Sequence, residues 1–160
     1  MRVSVLSRQS IIRRVERGDL IIRPFSFGGR AFGLSFGLSS AGYDIRLARG
    51  VWLFPFWGRL AHAYEFIGIP NDLRMKIENK STNARMFIDA SRSTNGEPGW
   101  SGHLTLELTH DRPWAKYLPA GYPIAQVVFE ELDEPTDQPY RGKYDQQPNR
   151  PVRAILEPTP

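Results

Sequence analysis

The sequence predicts a mainly β protein, a distorted β-barrel or jelly-roll-like domain with one short N-terminal helix. Apolar and polar residues alternate in several segments, most regularly over 102–110, where Leu104, Leu106 and Leu108 share one face. Turns rich in proline and glycine separate these segments, and the chain contains 13 prolines and 14 glycines. Short alternating strands joined by frequent turns are typical of β-barrels and β-sandwiches.

The first predicted element is the helix between Ser7 and Gly18. The Ser7 hydroxyl can satisfy free N–H groups of the first turn, and Gly18 can adopt the left-handed conformation that ends a helix. The Gly- and Ser-rich stretch 26–42 predicts a loop or an irregular strand. Strands are predicted in the alternating segments 19–25, 43–54, 64–70, 72–79, 102–110 and 124–132.

The composition favours one domain that spans residues 1–160. A chain of this length with 41% hydrophobic and 24% charged residues can bury a single core. It contains no run of about 18 apolar residues, as a membrane-spanning helix needs, and no secretory signal. We therefore expect a cytoplasmic protein without a membrane partner. The polar, Pro-rich tail 133–160 is expected to extend over the body or over a neighbouring subunit.

The absence of cysteine excludes several classes of site. Disulfides, thiolate catalysis and the zinc deaminases, whose metal needs two or three cysteines, are all ruled out. His62, His103 and His110 show no metal-ligand spacing, so no metal site is predicted. A net charge of +4 can attract nucleotides, but no nucleic-acid-binding signature is present. We expect no nucleic acid partner.

One segment concentrates five hydrogen-bond donors within six residues: Lys80, Ser81, Thr82, Asn83 and Arg85. Ser81 or Thr82 could be the ordinary N-cap of a short helix, with Arg85 in solvent. Alternatively, N–H and hydroxyl groups could hold phosphate oxygens while Lys80 and Arg85 neutralise their charge. The pattern alone leaves both interpretations open.

Two carboxylates, Asp44 and Glu107, lie in strand-like segments. Asp44 can form a structural ion pair with Arg46, which lies on the same strand face. Glu107 can face solvent, or it can be held in a pocket with a raised pKa suited to proton transfer. The tail segment 139–147 is either a polar linker or a lid that closes basic and aromatic groups over a nucleotide.

Six stretches, in order along nearly the whole chain, resemble the dCTP deaminase branch of the dUTPase-like superfamily. They are 6–25, 40–50, 78–86, 97–108, 118–132 and 139–147. The resemblance implies a dUTPase-type fold and a homotrimer with active sites between subunits. It also implies zinc-independent hydrolytic deamination of dCTP to dUTP and ammonia, with Mg²⁺ carried by the triphosphate.

The resemblance assigns roles to particular residues. Glu107 would be the general base, and Arg85 would lie beside the catalytic centre. Ser81 would take part both in catalysis and in binding the triphosphate. The substrate-binding residues would be Lys80, Ser81, Thr82, Arg85, Glu97, Trp100, Gln126, Tyr140, Lys143 and Gln147. Among these, the tail residues Tyr140, Lys143 and Gln147 would close over the phosphates.

The sequence departs from the family pattern at several positions. Glu97 stands where the family usually has Asp, in a turn about one residue shorter, and the glycine-rich C-terminal motif of dUTPases is missing. Asn83 and Met86 replace the usual neighbours, and the stretch 27–37 has no counterpart. We expect a monofunctional dCTP deaminase, although cytosine need not be the only base accepted. The alternatives are a dUTPase or bifunctional enzyme that releases dUMP and pyrophosphate, and a non-catalytic nucleotide-binding regulator.

Overall fold

The computed structural model describes residues 4–159, which form two helices and eleven strands. Their bounds are α1 (Arg8–Arg17), β1 (Ile21–Arg23), β2 (Gly29–Ala31), β3 (Leu34–Leu38), β4 (Tyr43–Arg46), β5 (Val51–Leu53), β6 (Arg59–Gly68), β7 (Leu73–Asn79), α2 (Ser81–Arg85), β8 (Ile88–Asp89), β9 (Ser101–His110), β10 (Lys116–Leu118) and β11 (Pro123–Glu131). The mainly β prediction is confirmed.

The described strands form three antiparallel sheets. Their strand orders are β1-β6-β9-β8, β2-β3-β4-β11-β7 and β10-β5, and these sheets do not close into one barrel. One apolar cluster joins the two larger sheets, with Ile67 and Leu106 from the first and Ile45 and Phe129 from the second. The core therefore holds both large sheets in fixed relative positions.

Helix α1 begins and ends at the residues that the sequence predicts. The Ser7 hydroxyl accepts a hydrogen bond from the Ser10 N–H at 3.4 Å, and Gly18 ends the helix with φ +80°. Ile11 is fully buried on the apolar side. No helix of the described chain is long and apolar enough to cross a membrane.

The prediction for residues 26–42 was only partly right, because β2 and β3 form a regular hairpin there. Phe32 and Gly33 connect the strands with φ values of +52° and +77°, the left-handed pair of a two-residue hairpin turn. Gly29 lies opposite Phe36, and a Cβ at Gly29 would lie 2.5 Å from the Phe36 ring. The glycine therefore lets the aromatic ring cover the hairpin.

The predicted ion pair between Asp44 and Arg46 was wrong. Arg46 instead binds Glu65 of β6, with 2.8 Å from Nε to Oε1 and 2.9 Å from the backbone N–H to Oε2. Glu65 is fully buried, so its carboxylate requires both contacts to offset the loss of water. Asp44 pairs with Lys80, and both ion pairs join residues that are distant in sequence.

Candidate active site

A cavity of about 590 Å³ lies between β9 and the C-terminal tail. We call it the Glu107 cavity. Its lining residues are Leu60, Thr94, Asn95, Gly96, Glu97, Trp100, Leu104, Thr105, Glu107, Tyr140, Tyr144, Gln147, Val152 and Ala154. Five residues that the sequence places in the site therefore meet here, namely Glu97, Trp100, Glu107, Tyr140 and Gln147.

Glu107 reaches this cavity because β9 alternates its faces. Leu106 and Leu108 are fully buried in the core, so the Glu107 side chain between them projects from the opposite face. Its Oε2 atom is buried and has no hydrogen-bond partner among the described residues. Burial raises the pKa of Glu107, and a hydrogen bond with Ser93 partly offsets that rise. The site thus contains a half-buried carboxyl group that is free to exchange a proton.

Glu97 and Trp100 lie at the two ends of one turn beside Glu107. The Trp100 N–H donates to the Glu97 carbonyl at 3.0 Å, and Gly99 between them has φ +85°. The Glu97 side chain is exposed at the cavity, whereas Trp100 is buried and donates its indole N–H to the Tyr144 carbonyl. A second carboxylate is therefore available in the same cavity.

The tail lies across β9 and covers the cavity. Gln147 Oε1 accepts hydrogen bonds from the N–H and the hydroxyl of Thr105, at 3.0 and 2.7 Å. The Tyr140 hydroxyl accepts from the Tyr144 N–H at 3.1 Å. Lys143 does not line the cavity, and its ammonium lies 3.7 Å from Glu157. The Thr105 and Glu107 face of β9 is thus covered by the tail.

A second pocket of about 560 Å³, which we call the Lys80 pocket, contains the other group of predicted residues. It is lined by Arg30, Gly33, Leu34, Ser35, Ser39, Asp44, Asn79, Lys80, Ser81, Thr82 and Gln126. Its walls come from the β2–β3 hairpin, β4, β11 and the start of α2. This pocket is rich in hydroxyl and charged groups.

The Lys80 ammonium is neutralised inside this pocket. It forms an ion pair with Asp44 and also donates to the Ser35 hydroxyl at 3.2 Å. The Lys80 and Asp44 side chains are 10% and 6% exposed. The Gln126 amide donates to Asp44 Oδ1 at 3.0 Å, so the carboxylate is held from two sides.

Helix α2 does not use Ser81 or Thr82 as its cap. Its N-cap is Lys80, which makes no side-chain cap hydrogen bond, and both hydroxyl residues are exposed in the Lys80 pocket. Arg85 is exposed and donates to the Ser81 carbonyl at 3.1 Å. Ser81 and Thr82 therefore offer hydroxyl groups to the pocket, while Arg85 lines neither cavity.

Asn83 anchors α2. Its amide donates to the carbonyls of Pro123 and Ile124, at 3.0 and 2.8 Å, and its oxygen accepts from the Tyr122 hydroxyl at 2.8 Å. Asn83 is fully buried by these contacts with the start of β11. In this chain it holds the donor-rich segment in place.

Relatives of this chain identify its family. A dCTP deaminase from Campylobacter lari is 31% identical over a 185-residue alignment that covers 95% of this chain and 99% of the relative. A dCTP deaminase from Chlamydia caviae is 32% identical, covering 85% and 92% of the two chains. The chain belongs to the dCTP deaminase family. A family model described as dCTP deaminase-like matches residues 57–132.

Solved structures of a dCTP deaminase and of a dUTPase share the fold of this chain. The crystal structure of 2′-deoxycytidine 5′-triphosphate deaminase from Agrobacterium tumefaciens has a TM-score of 0.62 at 16% identity. That match covers 81% of this chain and only 48% of the longer Agrobacterium chain. A dUTPase mutant from phage phi11 of S. aureus has a TM-score of 0.57 at 16% identity, over 78% and 97% of the two chains. The dUTPase-like fold is thereby confirmed.

The sequence did not indicate two residues that lie near the site, Arg30 and Ser93. Arg30 lies in the unrecognised hairpin, where the Phe32–Gly33 dipeptide was the available turn signal. The Ser93 hydroxyl accepts a 3.0 Å hydrogen bond from the Glu107 N–H, a contact over 14 residues that leaves no local pattern. Among residues 4–159, no group of three or more His, Asp or Glu side chains is arranged to hold a metal ion.

Proposed function

We propose that this protein catalyses the zinc-independent hydrolytic deamination of dCTP to dUTP and ammonia, with Glu107 as the general base. The observation on which this depends most is the buried, unpartnered Oε2 of Glu107 in a nucleotide-sized cavity. Membership of the dCTP deaminase family supports dCTP as the substrate. The absence of cysteine supports a reaction in which a carboxylate, rather than a zinc ion, activates water.

The chemistry requires one group to accept a proton and then return it. Glu107 takes a proton from water as the water oxygen bonds to C4 of cytosine, and it delivers that proton to ring N3. It then takes the proton of the new C4 hydroxyl and delivers it to the exocyclic amine, so that the C4–N bond breaks and ammonia leaves a C4 carbonyl behind. Because burial raises the pKa of Glu107, its carboxylate is a stronger base than an exposed glutamate and can accept each proton before passing it on.

The Lys80 pocket is proposed to receive the triphosphate. Ser81 and Thr82 present exposed hydroxyl groups there, and Lys80 and Gln126 line the same pocket. Hydroxyl and cationic groups of this kind bind phosphate oxygens. Mg²⁺ would arrive with the triphosphate, as part of the substrate.

The complete site is proposed to form between subunits of a homotrimer. Within one chain, Glu107 lies in one cavity while Ser81 lies in another, and Arg85 lines neither. An exposed Arg85 is available to a neighbouring copy. We propose that Ser81 and Arg85 of one subunit act on the nucleotide whose base lies beside Glu107 of the next.

A second candidate is a bifunctional enzyme that also hydrolyses dUTP to dUMP and pyrophosphate. It is favoured by one observation, that Glu97 lines the same cavity as Glu107. We rank it below deamination alone because Glu97 replaces the shorter Asp, and displacing a base by about 1 Å can cost two orders of magnitude in rate.

Incubation with dCTP and Mg²⁺, followed by chromatography and an ammonia assay, tests the proposal. We expect ammonia and dUTP in equal amounts. Pyrophosphate and dUMP as main products would support the bifunctional alternative. Binding of dCTP without any product would reject the proposed activity and favour a nucleotide-binding regulator.

A further inference from the structure

We propose that Arg30, on the β2–β3 hairpin, is a phosphate-binding residue of the Lys80 pocket and sets the affinity of that pocket for the triphosphate. This inference rests on the proposed use of the Lys80 pocket as the triphosphate site. It concerns the stretch 27–37, for which the family resemblance gave no counterpart.

The strand register points Arg30 toward the pocket. Arg30 of β2 pairs directly with Ser35 of β3, and directly opposed residues project from the same face of a sheet. The Ser35 hydroxyl donates to Asp44 at 3.0 Å and accepts from the Lys80 ammonium at 3.2 Å. Arg30 therefore lies on the face of the hairpin that meets the Lys80–Asp44 pair, and it lines the pocket.

The charge balance of the pocket requires a cation other than Lys80. Among the residues lining the pocket, the positive charge of Lys80 is offset by that of Asp44. Arg30 is the remaining charged residue of the lining, and it takes part in none of the ion pairs of the described chain. The net charge of the lining therefore comes from Arg30.

The hairpin is held firmly enough to position this guanidinium. Phe36 packs over Gly29 on one side, and the Arg46 guanidinium lies 4.2 Å from the centre of the Phe36 ring. Leu34 and Leu38 of β3 are buried in the core. A cation on a fixed element loses less conformational freedom when it binds a ligand than one on a mobile loop.

Arginine suits this role because its planar fork can donate two parallel hydrogen bonds to one phosphate group. Lysine would keep the charge but lose that geometry, whereas glutamine would lose the charge. The substitutions Arg30→Lys and Arg30→Gln therefore separate the contribution of geometry from that of charge.

The test compares wild type, Arg30→Gln, Arg30→Lys and a control, Arg13→Gln, by calorimetric titration with dCTP and with inorganic tripolyphosphate. Arg13 is an exposed arginine on α1 that lines neither cavity, so its replacement removes the same charge elsewhere. We expect Arg30→Gln to weaken both ligands by about 10-fold or more, Arg30→Lys to weaken them less, and Arg13→Gln to leave both within about 2-fold.

Steady-state kinetics give a second readout. Arg30→Gln is expected to raise KM for dCTP with kcat changed by less than about 3-fold, because binding rather than proton transfer is affected. Affinities for Arg30→Gln equal to those of Arg13→Gln would overturn the inference while leaving the proposed deamination intact.

The two proposals can fail separately. If wild type releases no ammonia but Arg30→Gln still loses tripolyphosphate affinity, the deaminase proposal fails and the role of Arg30 stands. If wild type binds neither dCTP nor tripolyphosphate, the role of Arg30 is rejected together with the phosphate site.

Discussion

Lys80, the N-cap of α2, and Asp44 of β4 form a largely buried ion pair. The pair lies at the base of the Lys80 pocket, where Ser35 and Gln126 complete its hydrogen bonds. Its burial gives Lys80 a structural role beside its predicted contact with phosphate. We therefore expect a variant of Lys80 to change stability as well as nucleotide affinity.

We predict that Lys80→Met destabilises the protein by about 3 kcal/mol, because it leaves the Asp44 carboxylate buried without its counter-charge. The double variant Lys80→Met/Asp44→Asn should recover most of that loss, since no charge remains buried. Urea denaturation of wild type, both single variants and the double variant measures the coupling. Equal stability of wild type and Lys80→Met would show that the pair does not stabilise the fold.

The pH dependence of catalysis should reflect the ionisation of the Glu107 carboxyl group. Deamination requires the ionised base, so kcat/KM should rise as pH increases through the pKa of Glu107, which burial places above its usual value. Because the Ser93 hydrogen bond lowers this pKa, Ser93→Ala should move the acid limb to higher pH. Ser91→Ala, an exposed serine outside both cavities, serves as the control. An acid limb unchanged by Ser93→Ala would contradict this assignment.

Replacing Glu107 should also affect stability in a pH-dependent way. The folded-state pKa of Glu107 is raised, so the folded protein holds this proton to higher pH than the unfolded chain does. The stability contributed by this group is present below the unfolded pKa and lost as pH rises through the folded pKa. We therefore predict that Glu107→Gln gains stability relative to wild type as pH increases from about 4 to 8. Thermal melting of both proteins at several pH values measures this gain. A stability difference between Glu107→Gln and wild type that stays constant with pH would contradict the prediction.

The Gln147–Thr105 contact should control closure of the tail. Gln147→Ala removes the acceptor for the Thr105 N–H and hydroxyl, so hydrogen exchange in peptides covering 140–152 should accelerate and kcat/KM should fall. Gln138→Ala is the matched control, because Gln138 is an exposed tail residue that lines neither cavity. Unchanged exchange in Gln147→Ala would mean that other contacts hold the tail.

The sequence predicted the fold best where the signals are local. Ser7 and Gly18 predicted the two ends of α1, and the alternating leucines predicted β9. Both features depend only on residues that are close together along the chain. The Arg46–Glu65 pair joins β4 to β6, and the Lys80–Asp44 pair joins the start of α2 to β4. Both pairs are between residues distant in sequence, so neither could be predicted from spacing. The period-two argument consequently assigned Asp44 to the wrong partner.

The candidate site was predicted in its parts but not in its arrangement. Family resemblance named both Glu107 and Ser81, yet no local pattern indicates that one chain separates them into two cavities. The sequence also placed Asn83 among the hydrogen-bond donors of the segment 80–85. Its burial against Pro123 depends on tertiary packing that the sequence does not reveal.

The central claim is that Glu107 transfers the protons of deamination, and ammonia release by Glu107→Gln tests it most directly. Rates should be measured with dCTP at equal nucleotide occupancy for wild type, Glu107→Gln and Glu16→Gln, an exposed glutamate on α1. The account predicts at least about 100-fold slower release by Glu107→Gln, with dCTP affinity nearly unchanged and Glu16→Gln equal to wild type. Release by Glu107→Gln within a few-fold of wild type would contradict the account.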